Sequence, residues 1–132
     1  MPEPTRVLLV EDNEQNLELA QFLLEEAGLA VEVARNAFEA RSALGRRPPA
    51  IVLMDIDLPG IDGLDLVMEI RRNQEWRRLP VVALTAHAMR GDRERFLAGG
   101  CSGYISKPIQ VASFATDVRR HLDGAEDSKD GG

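Results

Sequence analysis

Residues 51–57 read IVLMDID: four consecutive apolar residues, Ile51 to Met54, then Asp55 and, two positions on, Asp57. A short unbroken apolar run is how a strand buried on both faces of a parallel sheet appears; a half-exposed strand would alternate. Val7 to Val10 and Val81 to Leu84 are runs of the same kind, and Val31 to Val33 and Tyr104 to Ile105 are shorter strand candidates. Helical spacing fills the intervals. Leu17, Ala20, Leu24 and Ala27 share one face of a first helix, for which Gly28 is a natural stop. Ala37, Ala40, Arg41 and Leu44 mark a second, ended by Gly45 and the Pro48-Pro49 pair. Leu64, Val67, Met68 and Arg71 place a third, and Phe96 and Leu97 a short fourth closed by Gly99-Gly100. Val111, Phe114, Ala115, Val118 and Leu122 form the stripe of a fifth.

Five strands alternating with five helices make a βαβ series, so the expected fold class is α/β: a flavodoxin-like (βα)5, doubly wound, with a parallel five-stranded sheet. Strand order 2-1-3-4-5 is the natural choice, and it places ligand chemistry at the carboxyl ends of strands 1 and 3. Length agrees, since 132 residues suit one domain with a real core. Residues 1–122 are expected to form it. From Asp123 the composition turns to Gly, Asp, Ser and Glu, so 123–132 read as an acidic, disordered tail.

Composition removes several classes. A 44% hydrophobic and 29% charged chain is ordinary for a soluble globular protein. No apolar run approaches the roughly 20 residues of a membrane span, and no secretory signal opens the chain, so a cytoplasmic protein without membrane association is expected. The single cysteine, Cys101, excludes an intramolecular disulfide and a multi-cysteine zinc site. Of the net charge of −6, half lies in the tail, where Asp123, Glu126, Asp127 and Asp130 stand against Lys129. The remainder is only mildly acidic, which argues against a nucleic-acid surface.

At the predicted switch point strand 1 ends in Glu11-Asp12 and strand 3 in Asp55, with Asp57 beyond. Four acids at adjacent strand ends repel one another unless a cation intervenes. Oxygen donors with room for water favour Mg²⁺, with Mn²⁺ as a substitute. The plainer alternative is that Asp12 or Asn13 only caps the first helix and Asp57 only starts a turn. Strand 4 ends in Thr85 and strand 5 in Ser106-Lys107-Pro108, adding a hydroxyl and a cation to the same end. A carboxylate nucleophile, a divalent metal, a cation and a hydroxyl are the parts that phosphoryl transfer needs. Asp55, ending the central strand, is the candidate nucleophile.

The segments VLLVEDN, VLMDIDLPGIDG, VVALTAHAM and GYISKPI follow in that order along the chain. In order and spacing the chain resembles a receiver domain of the two-component response regulators, from Arg6 to about Leu122. The resemblance is closest to single-domain receivers of the DivK type, through EDNEQN, GDRER, GGC and GYISKPI. It implies that Asp55 is the phosphoacceptor, that Glu11 and Asp12 surround Mg²⁺, and that Asp57 lends the metal its backbone carbonyl. Thr85 and Lys107 would meet the phosphoryl oxygens, and Tyr104 would be the aromatic switch. Lys107-Pro108 resembles the family's cis peptide, which proline permits. Asp57 and His87 occupy positions that tune dephosphorylation.

The implied partners are a histidine kinase or a histidine phosphotransferase, and a downstream protein docking on helix 4, strand 5 and helix 5, roughly 90–120. The regulator would be a monomer or weak dimer that catalyses only its own phosphorylation and dephosphorylation. Receivers of hybrid histidine kinases, acting as relay intermediates, look similar. Two other classes compete. The D-x-D of Asp55 and Asp57 matches haloacid-dehalogenase-like phosphatases, but Pro59 stands where those need a hydroxyl, and the chain is short for their cap domain. A flavodoxin-like FMN carrier would need a hydroxyl-rich loop after strand 1, where this chain has Glu-Asp-Asn.

The remaining features have plain readings. Cys101 is a small buried filler, and His121 on the last helix is exposed. Arg71, Arg72, Arg77 and Arg78 form a solvated basic face. Trp76 is either an interaction patch or a cover over the sheet end. Gly60 and Gly63 serve turn conformation.

Overall fold

The computed structural model describes residues 3–57, 63–86 and 91–127. Five strands alternate with five helices: β1 (Arg6–Val10), α1 (Glu14–Glu26), β2 (Ala30–Ala34), α2 (Ala37–Arg46), β3 (Ile51–Asp55), α3 (Gly63–Arg72), β4 (Val81–Thr85), α4 (Asp92–Ala98), β5 (Gly103–Ser106) and α5 (Phe114–Asp127). The strands pair in parallel in the order β2-β1-β3-β4-β5, the order expected from the alternation.

The unbroken apolar runs are explained by burial on both faces. In β1, β3 and β4 the residues Val7 to Val10, Ile51 to Met54 and Val81 to Leu84 are all buried, and alternate ones feed opposite layers. Leu8, Val10, Val52, Met54, Val81 and Ala83 pack under α2, α3 and α4, whose Leu44, Ile70 and Phe96 complete one core. Val7, Leu9, Ile51, Leu53, Val82 and Leu84 pack under α1 and α5, against Leu17, Leu24, Phe114 and Val118. A single change in a strand therefore strikes one layer only; Leu53→Ala would open the α1/α5 side at a cost of about 2–5 kcal/mol.

Local signals set the helix ends. Asn13 caps α1, its side chain accepting from Asn16 N–H at 2.9 Å, and Asn36 caps α2 through Glu39 N–H at 2.8 Å. After α1 the chain turns at Gly28, whose φ of +88° favours glycine. Helix α5 begins at Phe114, not Val111. Val111 lies in the preceding turn, where Phe114 N–H bonds Gln110 O at 2.9 Å, and it is 65% exposed. The helix continues to Asp127, beyond the change of composition at Asp123.

Two plain readings are corrected, and one of the two open for Trp76 is selected, at the amino end of the sheet and along β5. Arg71 is no solvated cation: its guanidinium donates to the carbonyls of Gly100 (2.7 Å), Arg77 (3.0 Å) and Leu79 (2.6 Å), tying the α3–β4 and α4–β5 connections together. Burial lowers its pKa from the ordinary arginine value. Its stem is wanted there because an alkyl chain covers apolar surface while the head takes several carbonyls. Trp76 packs with Leu79 on the α2/α3/α4 core, so it is a cover over the sheet end. His121 is half-buried, its ring against Gly103.

Candidate functional site

Because every strand runs the same way, the residues that follow them gather at one end of the sheet. Glu11 follows β1 and is buried, 1% exposed; its N–H bonds Ala34 O at 3.0 Å, which fixes it beside β2. Asp55 ends β3 and Thr85 ends β4, both buried. Lys107 follows β5, where its N–H donates to Thr85 O at 2.8 Å and the Lys107-Pro108 bond is cis. The lysine side chain reaches back across the sheet end. Its Nζ lies 3.0 Å from Glu11 Oε1 and 3.2 Å from Asp55 Oδ2, with 12% of the side chain exposed.

The two carboxylates are also held on their other oxygens. Asp55 Oδ1 accepts from Asp57 N–H at 2.9 Å, and Glu11 Oε2 from Asn13 N–H at 3.1 Å. Asn13 thus caps α1 and steadies Glu11, which leaves Asp12 outside the capping role. Glu11 has a pKa raised from the ordinary glutamate value, first by burial and then by the neighbouring Asp55, against the pull of Lys107 and the Asn13 amide. For Lys107 burial opposes the charge, but the close carboxylates of Glu11 and Asp55 outweigh it, and its pKa is raised.

These groups make a coherent cation site. Among the described residues, one carboxylate oxygen each from Glu11, Asp12 and Asp55 lie within 4.8 Å of one another. Glu11 Oε1 is buried and, among the described residues, accepts no hydrogen bond of ordinary geometry; Lys107 meets it as a charge rather than as a well-aimed donor. A buried acceptor left in that condition, in an all-oxygen cluster open at Asp12, fits a hard divalent ion.

Glu11, Asp12, Asp55 and Lys107 are therefore brought together, with Thr85 at the adjoining strand end. Asp57 is exposed, with its amide engaged by Asp55. Tyr104 stands apart on β5, its ring 6.0 Å from that of Phe96 in α4. His87 and Gly60 lie outside the described residues. The contact between Lys107 and Glu11 was not legible in the sequence, although both being strand-end charges of opposite sign was its only trace. Gly63 is a second such case. Its task is room rather than turn conformation: a Cβ there would stand 2.8 Å from Ile56 Cα and 3.1 Å from Asp55 O. The start of α3 is thereby pressed against the backbone that follows Asp55.

Residues 7–119 match the response regulator receiver domain. The chain belongs to that family. It is 42% identical over 122 residues to the polar-differentiation response regulator DivK of Brucella anthropi, covering 92% of this chain and 99% of that one. Among solved structures, a putative response regulator from Chloroflexus aurantiacus superposes with a TM-score of 0.85 at 28% identity, over 91% of this chain and 98% of that one. The receiver domain of the sensor histidine kinase PA1611 from Pseudomonas aeruginosa, described with a magnesium ion coordinated in its active site cleft, gives 0.81 at 34% identity, over 91% and 98%. A phosphoaccepting single-domain receiver like DivK is the class these relationships support, and neither the relay receiver of a hybrid kinase nor the phosphatase is favoured.

Proposed function

We propose that Asp55 is the phosphoacceptor and that the protein acts as a stand-alone regulator in the cytoplasm, signalling by binding rather than by turnover of a separate substrate. The observation that carries this reading is the Lys107 ammonium set between Glu11 and Asp55 beside a three-carboxylate cluster. Residues 1–122 are the working unit, with 123–132 an acidic tail.

A phosphohistidine of a sensor kinase or a histidine phosphotransferase supplies the group. An Asp55 carboxylate oxygen attacks phosphorus, the P–N bond breaks, and the imidazole keeps the electron pair, so an acyl phosphate replaces the phosphoramidate. Lys107 shifts its charge from the Asp55 carboxylate to the phosphoryl oxygens, and the Thr85 hydroxyl donates to another. Asp57 N–H holds Asp55 in a fixed orientation for the attack. Glu11, Asp12, Asp55 and the Asp57 carbonyl would hold Mg²⁺, with Mn²⁺ as a substitute; the three-carboxylate cluster and the magnesium ion in the active site cleft of the PA1611 receiver domain support a metal here. Bound there, the ion supplies positive charge against the oxygens of the transferring group. Asp57 and His87 tune the return to the free carboxylate by their effect on attacking water.

The acyl phosphate then biases a two-state equilibrium by giving Thr85 and Lys107 contacts that exist in one state only, and Tyr104 follows. The face of α4, β5 and α5 passes the change to a protein partner. Acetyl phosphate with Mg²⁺ tests the acceptor: one phosphoryl group should be added to the wild type and none to Asp55→Asn. Modification that persists in the variant would sink the assignment.

A further inference from the structure

Glu11 and Asp55 are oriented by the same device. Each gives one carboxylate oxygen to the amide two residues further on: Glu11 Oε2 accepts from Asn13 N–H at 3.1 Å, and Asp55 Oδ1 from Asp57 N–H at 2.9 Å. The other oxygen of each, Glu11 Oε1 and Asp55 Oδ2, faces Lys107 Nζ. The two amides differ in what holds them. Asp57 lies in a turn, whereas Asn13 is tied to the head of the 13-residue helix α1. Its side-chain oxygen accepts from Asn16 N–H at 2.9 Å, and its carbonyl accepts from Leu17 N–H at 2.9 Å. The helix is in turn seated on the sheet through buried Leu17, Ala20 and Leu24. A chain of bonds therefore runs from a packed helix, through one cap residue, to a carboxylate that is 1% exposed.

We infer that Asn13 is a positioning residue for the cation site: by capping α1 it fixes the amide that grips Glu11 Oε2, and so aims Glu11 Oε1 at the ion. The inference rests on the reading that Glu11, Asp12 and Asp55 hold Mg²⁺. Oε1 is the buried oxygen that, among the described residues, accepts no hydrogen bond of ordinary geometry, so its direction matters to whatever meets it. A glutamate side chain must be ordered before it can ligate, and the cap supplies that order in advance. Partners that orient a metal ligand are typically worth about 10–100-fold in affinity. Here the backbone amide survives any substitution of the Asn13 side chain and only its anchor is lost. The expected effect is therefore smaller, about threefold to tenfold. The coupling is reciprocal: an ion that the cap helps to bind must strengthen the cap by the same factor. Occupancy of the cation site is thus felt in the first turn of α1.

Isothermal calorimetry of the full chain with Mg²⁺ tests this. Asn13→Ala should bind the ion about threefold to tenfold more weakly than wild type. Asn13→Ser, which keeps a capping oxygen, should recover most of the affinity. Asn36 caps α2 in the same manner, through Glu39 N–H. Asn36→Ala should lower the Tm in EDTA but leave Mg²⁺ affinity at the wild-type value. In the wild type, Mg²⁺ should slow hydrogen exchange at the Asn16 amide. Asn13→Ala with wild-type affinity, or Asn16 exchange indifferent to bound Mg²⁺, would overturn the inference and leave the metal site standing. Asn13→Ser as weak as Asn13→Ala would overturn it too, since the side chain would then act otherwise than as a cap. An equal loss in Asn36→Ala would reduce the effect to general stability and overturn it likewise. A wild type that binds no Mg²⁺ would overturn the metal reading itself, and the inference with it.

Discussion

Replacing Lys107 with Met removes the ammonium that Glu11 and Asp55 share, at 3.0 and 3.2 Å, while keeping most of the side-chain volume. Breaking a buried ion pair by deleting one partner costs about 3–5 kcal/mol. Here the loss is capped, because Glu11 can take up a proton once its counter-charge is gone. The lower end, about 3 kcal/mol at pH 7.5, follows, or about 10 °C in Tm for a chain of this size. The pH dependence has a definite sign. Glu11 already holds its pKa above the ordinary glutamate value, and without the ammonium it rises further. A carboxyl raised in the native state contributes stability that is present below its unfolded pKa and lost as pH rises through the native one. The deficit of Lys107→Met should therefore shrink as pH falls from about 7.5 to 5. The contribution of Lys107 itself is present below its ordinary pKa and lost only in strong alkali, so it does not disturb this window. Urea unfolding of both proteins in EDTA at several pH values measures it. A deficit under about 1 kcal/mol at pH 7.5, or one independent of pH, would refute the reasoning about the buried triad.

Mg²⁺ should stabilise the wild type by about 1.4 kcal/mol when the free ion is ten times its dissociation constant, read as a rise in Tm. Asp12→Asn should remove most of that rise without the lower metal-free Tm expected of a core change, since Asp12 is exposed. Gly63→Ala forces a Cβ to within 2.8 Å of Ile56 Cα and should cost about 1–3 kcal/mol in urea unfolding. It should also slow acetyl phosphate labelling, because the displaced backbone is that of Asp55 and Ile56. Cys101 is buried, with its thiol pKa pushed up to about 11 by burial. A thiol reagent at pH 8 should therefore react with it only as fast as the protein unfolds; rapid labelling of the native protein would contradict that placement.

The sheet was legible in the sequence because its three inner strands are buried on both faces, and unbroken apolar runs such as Ile51 to Met54 record that directly. The strand order then placed Glu11, Asp12, Asp55, Thr85 and Lys107 at one end. What periodicity could not resolve were contacts decided by volume and backbone direction. Arg71 reads as one arginine of a basic cluster until the two connections close around its guanidinium. Gly63 and Gly103 read as turn or strand glycines, and only packing shows that a Cβ has nowhere to go. His121, three residues after Val118 and seven after Phe114, falls at the edge of the α5 stripe by spacing, but only packing shows that its ring rests on Gly103.

The central claim is that Asp55 accepts the phosphoryl group. Borohydride reduction of the labelled protein converts a phosphoaspartate into homoserine, which peptide sequencing by mass spectrometry can place. The account predicts homoserine at position 55 after incubation with acetyl phosphate and Mg²⁺, and none at Asp12 or Asp57. Homoserine at another carboxylate, or a phosphoryl group stable to the treatment and borne by a serine or threonine, would contradict it.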